Sequence, residues 1–108
     1  RLRGALIERG LDIPVMGSFN EADDAVVARI TPQAILDAVV RLGESAACDG
    51  VFVSCTSLRV ARIVETAEAR IGKPVTSSNH ALAWHMLRLA GIDDDIPGFG
   101  SLYRSRLV

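Results

Sequence analysis

The sequence has no surplus of charge of either sign: 12 basic residues stand against 13 acidic ones, for a formal net charge of -1. No Lys/Arg cluster offers a footprint for nucleic acid or an acidic membrane surface, so neither partner is expected. Long apolar runs are missing as well. None approaches the roughly 18 residues that span a bilayer, and the opening stretch RLRGALIERG has no apolar stretch of the signal-peptide kind. A cytoplasmic protein is the expectation. Cysteine is scarce: Cys48 and Cys55 flank one short apolar run, which fits reduced cytosolic thiols better than a disulfide framework. Histidine is equally scarce. His80 and His85 are five apart, on different faces of a helix, so even with the two cysteines no metal site is expected. A phosphate loop is absent, because GKPVTS lacks the glycine and register of one. Cysteine phosphatase chemistry is excluded by Ala61, which stands where that motif needs an arginine.

What remains is an ordinary globular composition. At 108 residues, 49% hydrophobic and 23% charged, the chain suits a single domain, 1–108, with one core. Short apolar runs at 11–16 (LDIPVM), 50–55 (GVFVSC) and 73–77 (KPVTS) read as strands buried on both faces. Helices separate them. One should start at the N-cap Thr31 with Pro32 in its first turn, bury Ile35, Leu36, Val39, Val40 and Leu42, and stop at Gly43. A second buries Val60, Ile63, Val64, Ala67 and Ile71 and ends at Gly72. The third begins near Ser78 or Asn79, carries Ala83, Trp84, Leu87 and Ala90 inward, and stops at Gly91. The order βαβαβα predicts an α/β fold with a parallel, doubly wound sheet. Because the chain opens on a helix with no strand before it, the first strand of that sheet is expected to be missing and the chain to be a fragment of a longer one. Residues 92–108, rich in acids, Pro, Gly and Ser, read as a mobile connecting tail ending in one edge strand.

Two stretches echo each other. VFVSCTSLRVARIVETAEARIG and PVTSSNHALAWHMLRLAG each set a short strand, then small polar residues, then a helix. Ligands of open α/β sheets bind at the carboxyl ends of strands, where helix N-termini favour anions. The doubled cluster points to a small carboxylate, with plain N-capping as the alternative. At such a junction Cys55 gains thiolate character and becomes usable as a nucleophile or proton carrier. Cys48, in a turn before Asp49 and Gly50, reads as an idle thiol. His80 could line the site, while His85 and Trp84 read as helix surface and core.

The motifs GSFNEADDAVVARITP, VFVSCTSLR, GKPVTSSNHALAWHMLRLAGI and PGFGSL, in this order, resemble the second half of the Asp/Glu racemase superfamily. The resemblance is to its maleate cis-trans isomerase branch, near the ectoine-utilisation members, with arylmalonate decarboxylases more distant. It implies two flavodoxin-like halves with the active site between them, each giving one cysteine, and no cofactor. Cys55 then matches the second-half catalytic cysteine. Thr56 and Ser57 fall where a substrate carboxylate is held, and Ser78 and Asn79 are further substrate-binding candidates. Asp24 stands where the isomerases have a substrate-binding Asn; it would repel a dicarboxylate unless protonated or paired, for instance with Arg29.

The resulting expectation is a cofactor-independent isomerase or racemase acting on a small carboxylate by cysteine acid/base chemistry. Its partners would be that substrate, the missing N-terminal half and further copies of itself. A decarboxylase on the same scaffold, with a single catalytic cysteine, and a non-catalytic α/β binding domain are the alternatives.

Overall fold

The computed structural model describes residues 1–107; Val108, the last residue of the expected tail, lies outside the described residues. In chain order the elements are α1 (Leu2–Glu8), α2 (Asp24–Val27), α3 (Pro32–Gly43), β1 (Val51–Val53), α4 (Val64–Ile71), β2 (Val75–Ser77) and α5 (Ser78–Leu89). Short 3-10 turns occupy Ala61–Ile63 and Ser101–Arg104. β1 and β2 run parallel, with Val51 opposite Val75 and Val53 opposite Ser77. None of the helices among the described residues is long and apolar enough to cross a membrane.

The local signals explain the helices. Thr31 Oγ1 accepts from the Ala34 N–H at 3.1 Å, satisfying an otherwise free donor of α3, and Pro32 occupies the first turn. Ile35, Leu36 and Val39 then turn inward, against Val64, Ala67 and Val75. Gly43 ends α3 where the chain passes close to its neighbours: a Cβ there would come within 2.7 Å of Ile71 Cδ1 and 2.9 Å of Val51 Cγ2. α5 ends as predicted at Gly91, whose φ of 82° lets its N–H reach Arg88 O and the Ile92 N–H reach Leu87 O.

The structure departs from the sequence reading at four places. Residues 11–16 have no strand partner, so LDIPVM is extended chain without a ladder. The helix expected after Ser57 begins only at Val64, because Leu58 and Val60 turn into the core and the 3-10 turn intervenes. On α5 the inward face carries His80, 3% exposed, and Arg88, 4% exposed, whereas Ala83 and Ala90 face out with Leu82, Met86 and Leu89. Finally, residues 101–104 form a 3-10 turn where an edge strand was expected, and Tyr103 is buried. That segment is fastened from two sides. Arg88 donates to the carbonyls of Ile92, Asp94, Tyr103 and Ser105, and Glu68 accepts from the Ser101 N–H and hydroxyl and from the Val75 N–H.

Candidate functional site

Cys55 follows β1 on the loop that leaves the carboxyl end of the sheet, half-buried, with φ at 132°. Only glycine adopts that region without strain, so a cysteine there is held by its surroundings at a cost of order 1–3 kcal/mol. The holding groups come from α5. The Cys55 N–H donates to Ser78 Oγ at 3.3 Å, and Asn79 Nδ2 donates to Thr56 O at 2.8 Å. The Leu58 N–H turns back to Cys55 O at 3.4 Å, and Arg59 ties the same loop to Ile30 O at 3.2 Å. α5 itself starts firmly: Ser77, 2% exposed, accepts from the His80 N–H at 3.2 Å.

Sequence reasoning therefore placed Cys55 at the right end of the sheet but beside the wrong helix. The N-terminus of α4 lies at Val64, nine positions on, so only α5 presents its N-terminal end near the thiol. Ser78 and Asn79 spend their side chains on the backbone of residues 55 and 56. Thr56 is exposed and Ser57 half-buried on the same turn. His80 is not free to line the site: its Nε2 lies 2.7 Å from Phe99 O and its Nδ1 2.8 Å from Thr76 Oγ1. Since a carbonyl only accepts, Nε2 carries the proton and donates it, and Nδ1 accepts a hydrogen bond from the threonine hydroxyl.

A cavity of about 1140 Å³ opens between the N-terminal segment and β1. Cys55, Ser54 and Thr76 line it from the sheet side, and Ser18, Asn20 and Glu21 from the loop opposite. Thr56, Ser57, Ser78, Asn79 and Asp24 lie off its wall. Asp24 is exposed at the start of α2, behind Asp23, whose Oδ1 accepts from the Ala25 N–H. The pairing with Arg29 is not formed among the described residues. Glu21, three residues earlier, is on the wall, as are Asp12 and Asp49. Sequence reasoning missed Glu21 because an acid before a short helix looks like a capping residue, and its Oε1 does accept from the Asp23 N–H at 3.1 Å. Among the described residues no His/Cys/Asp/Glu group could hold a metal ion.

Cys48, the other thiol, sits 3.4 Å from Ser45 O and 3.6 Å from Gly43 O, past the end of α3. Lys73 Nζ reaches the same two carbonyls at 2.7 and 2.6 Å. This cluster closes a helix end.

Known proteins resemble the chain over most of its length. The family model described as arylmalonate decarboxylase matches residues 1–103. Arylmalonate decarboxylase of Bordetella bronchiseptica is 33% identical over 105 residues, covering 95% of this chain and 44% of that protein. Maleate isomerase of Alcaligenes faecalis is 24% identical over 93 residues, 86% of this chain and 37% of the relative. A crystal structure of arylmalonate decarboxylase superposes with a TM-score of 0.82 at 33% identity, over 95% of this chain and 46% of that one. A glycine-to-cysteine mutant of arylmalonate decarboxylase, in a sulfate-associated form, superposes at 0.84 with 32% identity, over 96% of this chain and 46% of that one. The chain thus spans less than half the length of these relatives. Over nearly all of its own length, it belongs to the arylmalonate decarboxylase family, within the Asp/Glu racemase-like α/β proteins.

Proposed function

We propose that this chain carries the proton-donating half of a cofactor-independent decarboxylase whose substrate is a malonate-type dicarboxylate. The observation that supports the reading is Cys55: a thiol in strained backbone at the carboxyl end of β1, lining the large cavity and clamped from α5. In the proposed reaction the bond between the central carbon and one carboxyl group breaks and carbon dioxide leaves. The electron pair passes into the remaining carboxylate as an enediolate. The Cys55 thiol then gives its proton to that carbon, and the thiolate recovers one from water. The apolar cavity wall favours the departure of charge from the carboxylate being lost, and donors around the loop favour the enediolate. A protein that depends on a reduced thiol suits the cytoplasm.

The isomerase expected from sequence becomes the second reading, supported by the similarity to maleate isomerase. It would need a second thiol facing Cys55 across the cavity. Neither His80 nor Cys48 meets that need here, both being engaged elsewhere. The test uses the complete protein with arylmalonate and maleate in parallel. Carbon dioxide release that disappears in Cys55→Ala, with no fumarate formed, supports the decarboxylase; fumarate formation without carbon dioxide release replaces it with the isomerase.

A further inference from the structure

We infer that His80 is a positioning residue for Cys55: it pins the first turn of α5 to the C-terminal segment, and that turn holds the strained backbone of the thiol. Three observations carry this. First, α5 has little apolar purchase on the rest of the molecule. Its two fully buried residues are polar, His80 and Arg88, and among the described residues none of its side chains belongs to the apolar core. Both are held by carbonyls of the C-terminal segment: His80 Nε2 donates to Phe99 O at 2.7 Å, and Arg88 donates to Tyr103 O at 2.8 Å and to Ser105 O at 3.0 Å. The two residues lie about 12 Å apart along the axis, so Arg88 fixes the far end of the helix and His80 the near one.

Second, every polar atom of His80 is tied. Its N–H donates to Ser77 Oγ at 3.2 Å, its carbonyl accepts from the Tyr103 hydroxyl at 2.9 Å, and its Nδ1 accepts from Thr76 Oγ1 at 2.8 Å. The two residues before it reach the loop after β1: Ser78 Oγ accepts from the Cys55 N–H, and Asn79 Nδ2 donates to Thr56 O. All three residues share one helical turn, so a displacement of His80 moves the other two. At 3.3 Å the bond to the Cys55 N–H is already long, and a shift of about half an ångström loses it.

Third, the C-terminal segment is shaped to present the Phe99 carbonyl. Gly98 and Gly100, with φ of 91° and 83°, stand on either side of Phe99 in the PGFG stretch, in backbone that residues with a Cβ rarely adopt. A Cβ on Gly100 would also come within 2.5 Å of Val64 Cγ1 and 2.7 Å of Glu68 Oε1. Glu68 in turn accepts from the Ser101 N–H at 2.8 Å, which fastens this loop to α4. Phe99 O is thus a fixed point seated on α4, and His80 relays that position to α5 and from there to Cys55.

Three variants of the complete protein test this by amide hydrogen exchange at Cys55 and by steady-state kinetics. Gln sets an amide N–H where Nε2 lies and keeps the bond to Phe99 O, whereas Asn sets an oxygen where Nδ1 lies and keeps only the bond from Thr76. His80→Ala and His80→Asn should each speed exchange of the Cys55 amide and lower kcat by about fivefold, the worth of one hydrogen bond, with KM unchanged. His80→Gln should restore both to within about twofold. Thr31→Ala, which weakens the fold elsewhere, should alter neither and so controls for lost stability. The effect on kcat rests on the reading of Cys55 as proton donor, whereas exchange at its amide does not: faster exchange with kcat and KM both unchanged upholds the positioning and removes the thiol from the reaction. Should His80→Ala fail to fold, the contrast between Gln and Asn decides by itself. Unchanged exchange at Cys55, rescue by Asn in place of Gln, or a rise in KM at constant kcat would each overturn the assignment.

Discussion

Cys55 and Cys48 are equally half-buried, yet their thiols face different tasks. Cys48 donates to carbonyls at the end of α3, and the nearby Lys73 ammonium is spent on the same carbonyls. Both residues line the cavity, but Cys55 does so from strained backbone and makes no thiol hydrogen bond among the described residues. Iodoacetamide at neutral pH should therefore label Cys55 faster in the complete protein; peptide mapping that finds Cys48 faster would contradict the assignment. Glu21 and Asp24 also part company at this scale. Only Glu21 is on the cavity wall, so Glu21→Gln should tighten binding of a simple dicarboxylate on the order of threefold, the size of a solvent-screened charge effect. Asp24→Asn should leave the affinity unchanged. Calorimetric titration of both variants with malonate separates the two, and the reverse ranking would return the role to Asp24.

At the scale of elements, the clamp between α5 and the loop after β1 matters most. Ser78 and Asn79 are expected from sequence to hold substrate, but their side chains here hold the backbone of Cys55 and Thr56. One such hydrogen bond is worth about 1 kcal/mol, or roughly fivefold in a rate that depends on thiol placement. Asn79→Ala should lower kcat by about that factor with KM little changed. A rise in KM at constant kcat would instead favour direct contact with substrate. The capping of α3 is more conventional: Thr31→Ala should cost about 1 kcal/mol by denaturant unfolding, with no change in the activity per folded molecule.

For the whole molecule, the C-terminal segment acts as a strap across β2, α4 and α5, and Tyr103 is its buried anchor. Its hydroxyl donates to His80 O at 2.9 Å, and its ring lies 4.6 Å from the His80 ring centre. Burial raises the phenol pKa above 10.0, opposed by the charge of Arg88. A raised pKa means that the folded protein keeps the proton while the unfolded chain has begun to lose it. This contribution is complete below pH 10 and declines as pH rises from there through the folded-state value. Unfolding measured at increasing pH should show that loss of stability, and Tyr103→Phe should flatten it while costing about 1 kcal/mol at neutral pH. Since Tyr103 is the sole tyrosine, its ultraviolet titration reads the shift directly. An alkaline decline of equal steepness in the phenylalanine variant would assign the effect elsewhere.

What the amino-acid order determined by itself is local or apolar in origin. Thr31 and Pro32 start α3, Gly72 and Gly91 stop α4 and α5, and the runs around Val51 and Val75 make parallel strands, because caps, left-handed glycines and buried β-branched residues act within a few positions. The motif order was equally legible, and it sufficed for the superfamily. Everything that depends on distant partners was decided only by the tertiary structure. Residues 11–16 have strand composition but lack a neighbour, and a strand without a ladder has no reason to be assigned as one. The late start of α4 follows from where Leu58 and Val60 find the core, and His80 and Arg88 are buried because distant carbonyls of the strap satisfy them. The separation of Glu21 from Asp24 likewise depends on which turn faces β1, and hydrophobic period carries no information about that.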